Sequence, residues 1–166
     1  MSLSETARSA AESPPRNFNG LVAVSEGVQD VFVRWRLQCP CSSTFGRIVA
    51  GEVVDREHLD PVRFDCRQCG KSVTFFDSNR DGYDGLLNGG ASYRQAKSSV
   101  PVTCRQGHTD RFVCLVELSY NIDATEIVEI VSEDGGSTSD YFDVINIHGK
   151  CLECGDLVQV GDWECA

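Results

Sequence analysis

The chain contains two copies of one short motif, Cys66-Arg67-Gln68-Cys69-Gly70 and Cys151-Leu152-Glu153-Cys154-Gly155. A further pair of potential metal ligands precedes each copy, Cys39-Pro40-Cys41 before the first and Cys104 with His108 before the second. Each half of the chain therefore offers four sulfur or imidazole donors, the number that a tetrahedral Zn²⁺ ion requires. The sequence predicts two zinc ions, one bound by Cys39, Cys41, Cys66 and Cys69 and the other by Cys104, His108, Cys151 and Cys154.

Disulfide bonds and iron or iron–sulfur ligation are the alternatives for these cysteines. The chain has nine cysteines, an odd number, and its first residues lack the apolar segment of a signal peptide. We therefore expect an intracellular protein, cytoplasmic or within a particle assembled there, where paired CxxC motifs indicate metal more often than disulfides. Some ligand alternatives stay open, because His148 competes with His108 and Cys165 could replace a ligand. Cys114 lies among apolar strand residues and is interpreted as a buried thiol.

The paired motifs resemble the knuckles of zinc-ribbon modules, the class of small β domains that share the rubredoxin-like knuckle. In a CxxC-Gly turn both thiolates project to one side, and the glycine lets the chain turn back so that backbone N–H groups point at sulfur. The resemblance covers about half of the chain and names no particular family. It implies small β modules whose metal ions are structural.

Alternating apolar and polar residues indicate strands that run into the cysteine motifs. Between Val31 and Gln38 the alternation leads directly to Cys39, as is typical of a strand with one buried face. Alternating or β-branched stretches predict strands over residues 31–38, 48–54, 62–66, 73–76, 100–103, 112–118, 127–131, 141–147 and 157–160. The predicted fold is mostly β, with two small zinc-ribbon-like antiparallel β modules in tandem.

The predicted domain organisation has three parts. Residues 1–20 form a flexible N-terminal arm or linker, because no apolar stripe supports a helix and Ser13-Pro14-Pro15 favours an extended chain. The first module covers 21–90 and the second covers 91–166. The two modules align loosely, which we interpret as an internal duplication. Independent arrival at a common knuckle spacing is the alternative.

The net charge of −10 is distributed unevenly along the chain. Residues 31–111 have a net charge of +3, whereas residues 112–166 have a net charge of −11. An acidic C-terminal third should repel phosphate backbones and suits a basic protein partner. The opposite charges of the two halves would also permit self-association. No apolar run approaches the roughly 18 residues of a membrane span, so we expect no membrane partner.

Four ligands at each metal leave no open coordination position, and the sequence has no HExxH, GxSxG or P-loop motif, so we expect no catalysis. The predicted function is a non-catalytic protein-interaction or assembly subunit of a larger complex, such as a virion or a transcription machine. One alternative is nucleic-acid binding through the basic first module. Its candidate residues are Arg34, Arg36, Arg63, Arg67 and Lys71. A second alternative is an acidic inhibitor that mimics DNA.

Overall fold

The computed structural model describes residues 5, 8, 9, 18–29, 32–78, 96–120, 124–135 and 144–164. In chain order the strands are β1 (Val22–Gln29), β2 (Phe32–Gln38), β3 (Gly46–Gly51), β4 (Val53–Val54), β5 (Glu57–His58), β6 (Val62–Cys66), β7 (Ser72–Phe76), β8 (Ser99–Pro101), β9 (Phe112–Ser119), β10 (Val144–Cys151) and β11 (Leu157–Glu164). A helix, α1 (Ala124–Asp134), lies between β9 and β10. The described strands all pair antiparallel, which confirms the predicted mostly β fold.

Nine of the strands form one sheet, in which two segments can be distinguished. The five-strand segment has the order β1-β2-β9-β10-β11, and the four-strand segment has the order β8-β3-β6-β7. The two segments meet where Gly46 of β3 pairs with Phe112 of β9. Strands β4 and β5 form a separate two-stranded hairpin.

At this junction, one strand from each half of the chain pairs with a strand from the other half. Strand β2 leads into Cys39 in the first half, yet it pairs with β9 of the second half. Strand β8 leads into Cys104 in the second half, yet it pairs with β3 of the first half. The predicted modules 21–90 and 91–166 therefore contribute strands to a common sheet. Their predicted boundary falls within residues 79–95, outside the described residues.

A single hydrophobic core lies behind the sheet. Burial alternates along β2 and β9, as the period-two pattern predicts, so that Val33, Trp35 and Leu37 face inward. The ring centroids of Phe76 in β7 and Trp163 in β11 are 4.7 Å apart, which joins the edge strands of the two segments. Because both halves supply this core, burial of apolar surface stabilises them together.

The prediction of a strand over residues 127–131 was wrong, because this stretch lies in α1. Its β-branched residues favour a strand. In the structure Ile127 is fully buried, while Glu126 and Glu129 are exposed. This spacing is helical, because it buries one stripe of the helix against the core. Gly135 ends the helix with a φ of 77° and an N–H that donates to the Val131 carbonyl oxygen at 3.0 Å. Tertiary packing thus overrode the local propensity.

Strand β1 was not predicted, because Ser25, Glu26 and Gly27 interrupt its alternation. The structure accommodates them in a bulge against β2, at the point where the pairing register shifts. Of the predicted N-terminal arm, residues 5, 8, 9 and 18–20 are described. Its last residues are part of the fold and not a flexible arm, because Phe18 is buried in the core with its ring centroid 6.4 Å from that of Phe75. In the part of the chain that is described, no helix has the length and apolar content that a membrane crossing requires.

We predict that Gly46→Ala destabilises the whole sheet. A Cβ atom at Gly46 would collide with the Asp65 carbonyl oxygen and lie 2.7 Å from Phe64 Cζ, at the junction of the two segments. We expect the free energy of unfolding to fall by about 1–3 kcal/mol in denaturant titrations, with one transition for the entire chain. Val53→Ala, at a side chain that is 55% exposed, is the control and should change little. Two separate transitions in the wild type would contradict the shared core.

Candidate metal centres

The first cluster brings together Cys39, Cys41, Cys66 and Cys69, whose sulfur atoms all lie within 4.8 Å of one another. Cys39 Sγ is 3.5 Å from Cys69 Sγ, and Cys41 Sγ is 3.6 Å from Cys66 Sγ. A disulfide bond would require about 2.05 Å, so these are free thiols. Four sulfurs at about 2.3 Å from a tetrahedral ion lie roughly 3.8 Å apart, close to the observed spacing. The cluster could therefore hold a metal ion.

The second cluster brings together Cys104, His108, Cys151 and Cys154, again with donor atoms within 4.8 Å of one another. His108 turns its Nδ1 atom inward, 3.3 Å from Cys104 Sγ and 3.6 Å from Cys151 Sγ. Cys154 Sγ lies 3.6 Å from Cys104 Sγ. A tetrahedral ion with three sulfur ligands and one imidazole requires similar separations. The second cluster could hold a metal ion through three thiolates and Nδ1.

The other cysteines and histidines singled out in the sequence lie elsewhere. His148 is on β10, where its Nε2 atom is 3.9 Å from Glu117 Oε1, and it belongs to neither cluster. Cys114 is fully buried in β9, and burial raises the pKa of its thiol. Cys165 lies outside the described residues. Of the two candidate histidines, His108 therefore places a nitrogen among the donor atoms of the second cluster, whereas His148 does not.

The two CxxC turns have the same backbone geometry. The glycine after each motif has a positive φ, 75° at Gly70 and 77° at Gly155, a conformation that favours glycine. Its N–H donates to the carbonyl oxygen of the first cysteine in the motif, at 3.0 Å and 2.8 Å respectively. The N–H of that cysteine donates to the carbonyl oxygen of the residue after the glycine, at 2.8 Å in both turns.

The two upstream turns, residues 39–43 and 104–108, also match each other. The N–H of Cys39 donates to the Ser43 carbonyl oxygen at 3.0 Å, and that of Cys104 donates to the His108 carbonyl oxygen at 3.1 Å. The residue before each acceptor has a positive φ, 75° and 87°, and donates to the cysteine carbonyl oxygen at 2.9 Å. These matching turns support the interpretation of an internal duplication.

The shared upstream turn places its second ligand at different positions. In the first turn the ligand is the third residue, Cys41, and the fifth residue is Ser43, which is 4% exposed. In the second turn the ligand is the fifth residue, His108, and the third residue is the exposed Gln106. The third residue of one turn and the fifth residue of the other thus each bring a donor atom into its own cluster.

Backbone N–H groups favour ionisation of one thiol in each cluster. Burial raises the pKa of Cys66, but the N–H groups of Cys69 and Gln68 outweigh it and lower the pKa to about 6. Burial likewise raises the pKa of Cys104, but N–H groups that include that of His108, 3.3 Å from the sulfur, lower it to about 7. These two thiols are therefore prepared to bind a cation near neutral pH.

The sequence reading did not single out Asp156, which connects the two turns of the second cluster. It follows the CxxC-Gly motif, and its Oδ2 atom accepts a hydrogen bond of 3.0 Å from the Arg105 N–H. Arg105 is the residue after the ligand Cys104, so the carboxylate ties one turn to the other. An acidic residue in this position leaves no signal in a single sequence, since its partner is 51 residues away.

The five basic residues proposed for nucleic-acid binding do not form one free patch. Arg34 and Arg36 share the outer face of β2, as the alternation predicts, while Arg67 and Lys71 are exposed beside the first CxxC turn. Three of the five are already neutralised by carboxylates. The ion pairs are Arg34 with Glu117, Arg36 with Glu26 and Arg63 with Asp65. This pairing reduces the charge available to a phosphate backbone.

No protein family, curated protein or solved structure matches the chain. The functional interpretation therefore depends on the geometry of the two clusters and of the surrounding surface.

We predict that His108→Ala removes one of two bound metal ions, because three thiolates leave the second tetrahedron open. Metal content per chain, measured after extensive desalting, should fall from two to one. His148→Ala is the matched control and should retain both ions, since His148 faces Glu117 instead of a cluster. Loss of metal from His148→Ala with retention in His108→Ala would reverse the ligand assignment.

We also predict that the ligand can be moved within the second upstream turn. The double substitution Gln106→Cys with His108→Ser copies the ligand positions of the first turn, because the two turns share their backbone hydrogen bonds. With cobalt as the probe, the variant should still bind two ions per chain. Its thiolate-to-metal absorption should rise by roughly one seventh, since eight thiolates replace seven. A variant that binds only one ion would show that the turns are not equivalent.

Proposed function

We propose that the protein is a non-catalytic, zinc-stabilised β scaffold that binds a protein partner as a subunit of a larger assembly. The observation that carries this proposal is that each cluster supplies four protein donors, with donor atoms within 4.8 Å of one another. A catalytic zinc ion keeps a position open for water or substrate, whereas structural zinc has four protein ligands. Both clusters have the four protein donors that are typical of a structural zinc site.

The donor chemistry favours zinc over the alternatives. Four thiolates, or three thiolates with one imidazole, are the usual donor sets of structural Zn²⁺. Iron–sulfur clusters are normally held by four thiolates, which disfavours them at the second cluster, where His108 takes the fourth place. Every cysteine of the two clusters is a free thiol, which disfavours disulfides.

Both zinc ions would link the two segments of the sheet. At the first cluster, Cys39 follows β2 of the five-strand segment, whereas Cys66 ends β6 of the four-strand segment. At the second cluster, Cys104 follows β8 of the four-strand segment, whereas Cys151 ends β10 of the five-strand segment. Structural zinc contributes an apparent ~10–16 kcal/mol in small domains, so two such links would dominate the stability of this one.

The surface is better suited to a protein partner than to nucleic acid. Among the described residues, four large apolar ones are 42–55% exposed. Of these, Leu152 lies within the second CxxC turn and Leu157 follows it. Most of the candidate basic residues are ion-paired, and residues 112–166 have a net charge of −11. Exposed apolar side chains stabilise protein interfaces, whereas phosphate backbones require unpaired cations. A virion or a transcription machine remains the kind of assembly we expect.

We predict that the protein co-purifies with a protein partner and two zinc ions. A tagged chain, isolated from its native cell after nuclease treatment, should contain two zinc ions and a partner in constant ratio. Cys69→Ser should lose one zinc ion and the partner, because the β2 end is then released from the β6 end. Cys114→Ala removes a thiol outside the clusters and should keep both ions.

Two results would contradict the proposed function. One is a folded, zinc-loaded chain that is recovered alone from its native cell. The other is recovery of nuclease-sensitive nucleic acid in place of protein, which would support the nucleic-acid alternative.

A further inference from the structure

A surface groove of about 330 Å³ crosses the outer face of β2, β9 and β10. It lies on the side of the five-strand segment opposite to the core. The alternation of each strand places its lining residues there, since the neighbours of these residues along β2 and β9 are buried. None of the candidate metal ligands is among the described residues that line it, so the groove is a feature separate from the metal centres.

The groove has a cationic lining in a strongly acidic protein. Arg34, Arg36 and Lys150 line it together with one acid, Glu26. Lys150 forms no ion pair with any of the described residues, and it is the only lysine or arginine between residues 112 and 166. Arg34 pairs with Glu117 and Arg36 with Glu26. The Lys150 ammonium group is therefore the donor that a carboxylate in the groove could satisfy.

The rest of the described lining consists of Thr44 and three apolar residues. Val113 and Leu115 extend from β9, and Leu152 of the second CxxC turn, 42% exposed, lies beside them. These side chains favour a ligand that brings apolar groups as well as negative charge. A phosphate backbone supplies charge without apolar groups, and the described residues of the lining include no aromatic ring that could stack on a base.

A second copy of this chain is a poorer match for the groove. Its exposed helix face offers Glu126 and Glu129, but the apolar Ile127 of that helix is fully buried in its own core. The helix would bring carboxylates without the apolar side chains that the groove requires. Two chains with a net charge of −10 would also repel each other at low salt.

We propose that this groove binds a segment of another protein in which carboxylates stand next to apolar side chains. The proposal deepens the proposed function and rests on it, since it identifies the surface and the chemistry of the partner. The carboxylates would lie against Lys150, and the apolar side chains would pack on Val113, Leu115 and Leu152.

The test is a selection of short random peptides displayed on phage against the full-length, zinc-loaded protein. Enriched peptides should combine Asp or Glu with Leu, Ile or Phe. Labelled synthetic copies of them should lose at least about tenfold in affinity for Lys150→Glu, as measured by fluorescence anisotropy. Lys71→Glu makes the same change of charge at an exposed lysine outside the groove and should bind like the wild type.

A second pair of variants tests the apolar half of the lining. Leu152→Ser should weaken the same peptides several-fold, whereas Leu157→Ser should not, because Leu157 is 54% exposed but does not line the groove. Zinc content and the unfolding transition of each variant should equal those of the wild type. These measurements separate an effect on the groove from an effect on folding.

Four outcomes would overturn the groove proposal. They are the absence of enrichment, enrichment of basic peptides, equal binding by Lys150→Glu and Lys71→Glu, and displacement of the peptides by an oligonucleotide. Self-association in sedimentation experiments that is lost in Lys150→Glu would replace the proposed partner with a second copy.

The native purification separates this proposal from the proposed function. If Lys150→Glu still captures the native partner, the groove is not the docking site and the proposed function stands. If the wild type captures no partner, the proposed function itself fails.

Discussion

Thiol groups packed at 3.5–3.6 Å from one another are the constraint on which this structure depends. Neutral thiols gain little from such contacts, and thiolates at this distance repel one another unless a cation lies among them. Seven cysteines and one histidine form the two clusters. Both clusters lie near the junction of the segments, because Cys66 pairs with Gly46, Gly46 with Phe112 and Phe112 with Cys151. Backbone N–H groups around Cys66 and Cys104 already favour the charged form. The chain is thus shaped around two positions where positive charge is needed.

The pairing of strands between the two halves explains why these two positions matter for the whole molecule. Each cluster combines one pair of donors from a loop that connects the two segments, β2–β3 or β8–β9, with a second pair from a CxxC turn within one segment. Metal binding and strand pairing would therefore stabilise the same junction. The core behind the sheet, with Phe76 against Trp163, adds a third link between the segments. The outer face of β2, β9 and β10 is left available for recognition.

Strong alternation of apolar and polar residues made the strands next to the cysteine motifs predictable. Strands β2, β6 and β9 were predicted from their alternation, since each buries one face against the core. Helix α1 was mistaken for a strand because β-branched residues dominate it, and β1 was missed because its bulge interrupts the pattern. Local propensity failed where long-range packing decided the conformation. The eight predicted ligands are brought together as two groups, and their role as zinc ligands stays a prediction.

The amino-acid sequence by itself determined the paired cysteine motifs, the sharp CxxC-Gly turns and the predominance of strands. Each of these depends on side-chain chemistry or on backbone preferences over a few neighbouring residues, which a single sequence displays. Only the tertiary structure decided that β2 and β8 each pair with a strand from the other half of the chain. It also decided that Arg36, Leu115 and Lys150 line one groove. Such pairings join residues far apart in the chain. Their free energy comes from burial and register across the whole sheet, so no local pattern encodes them.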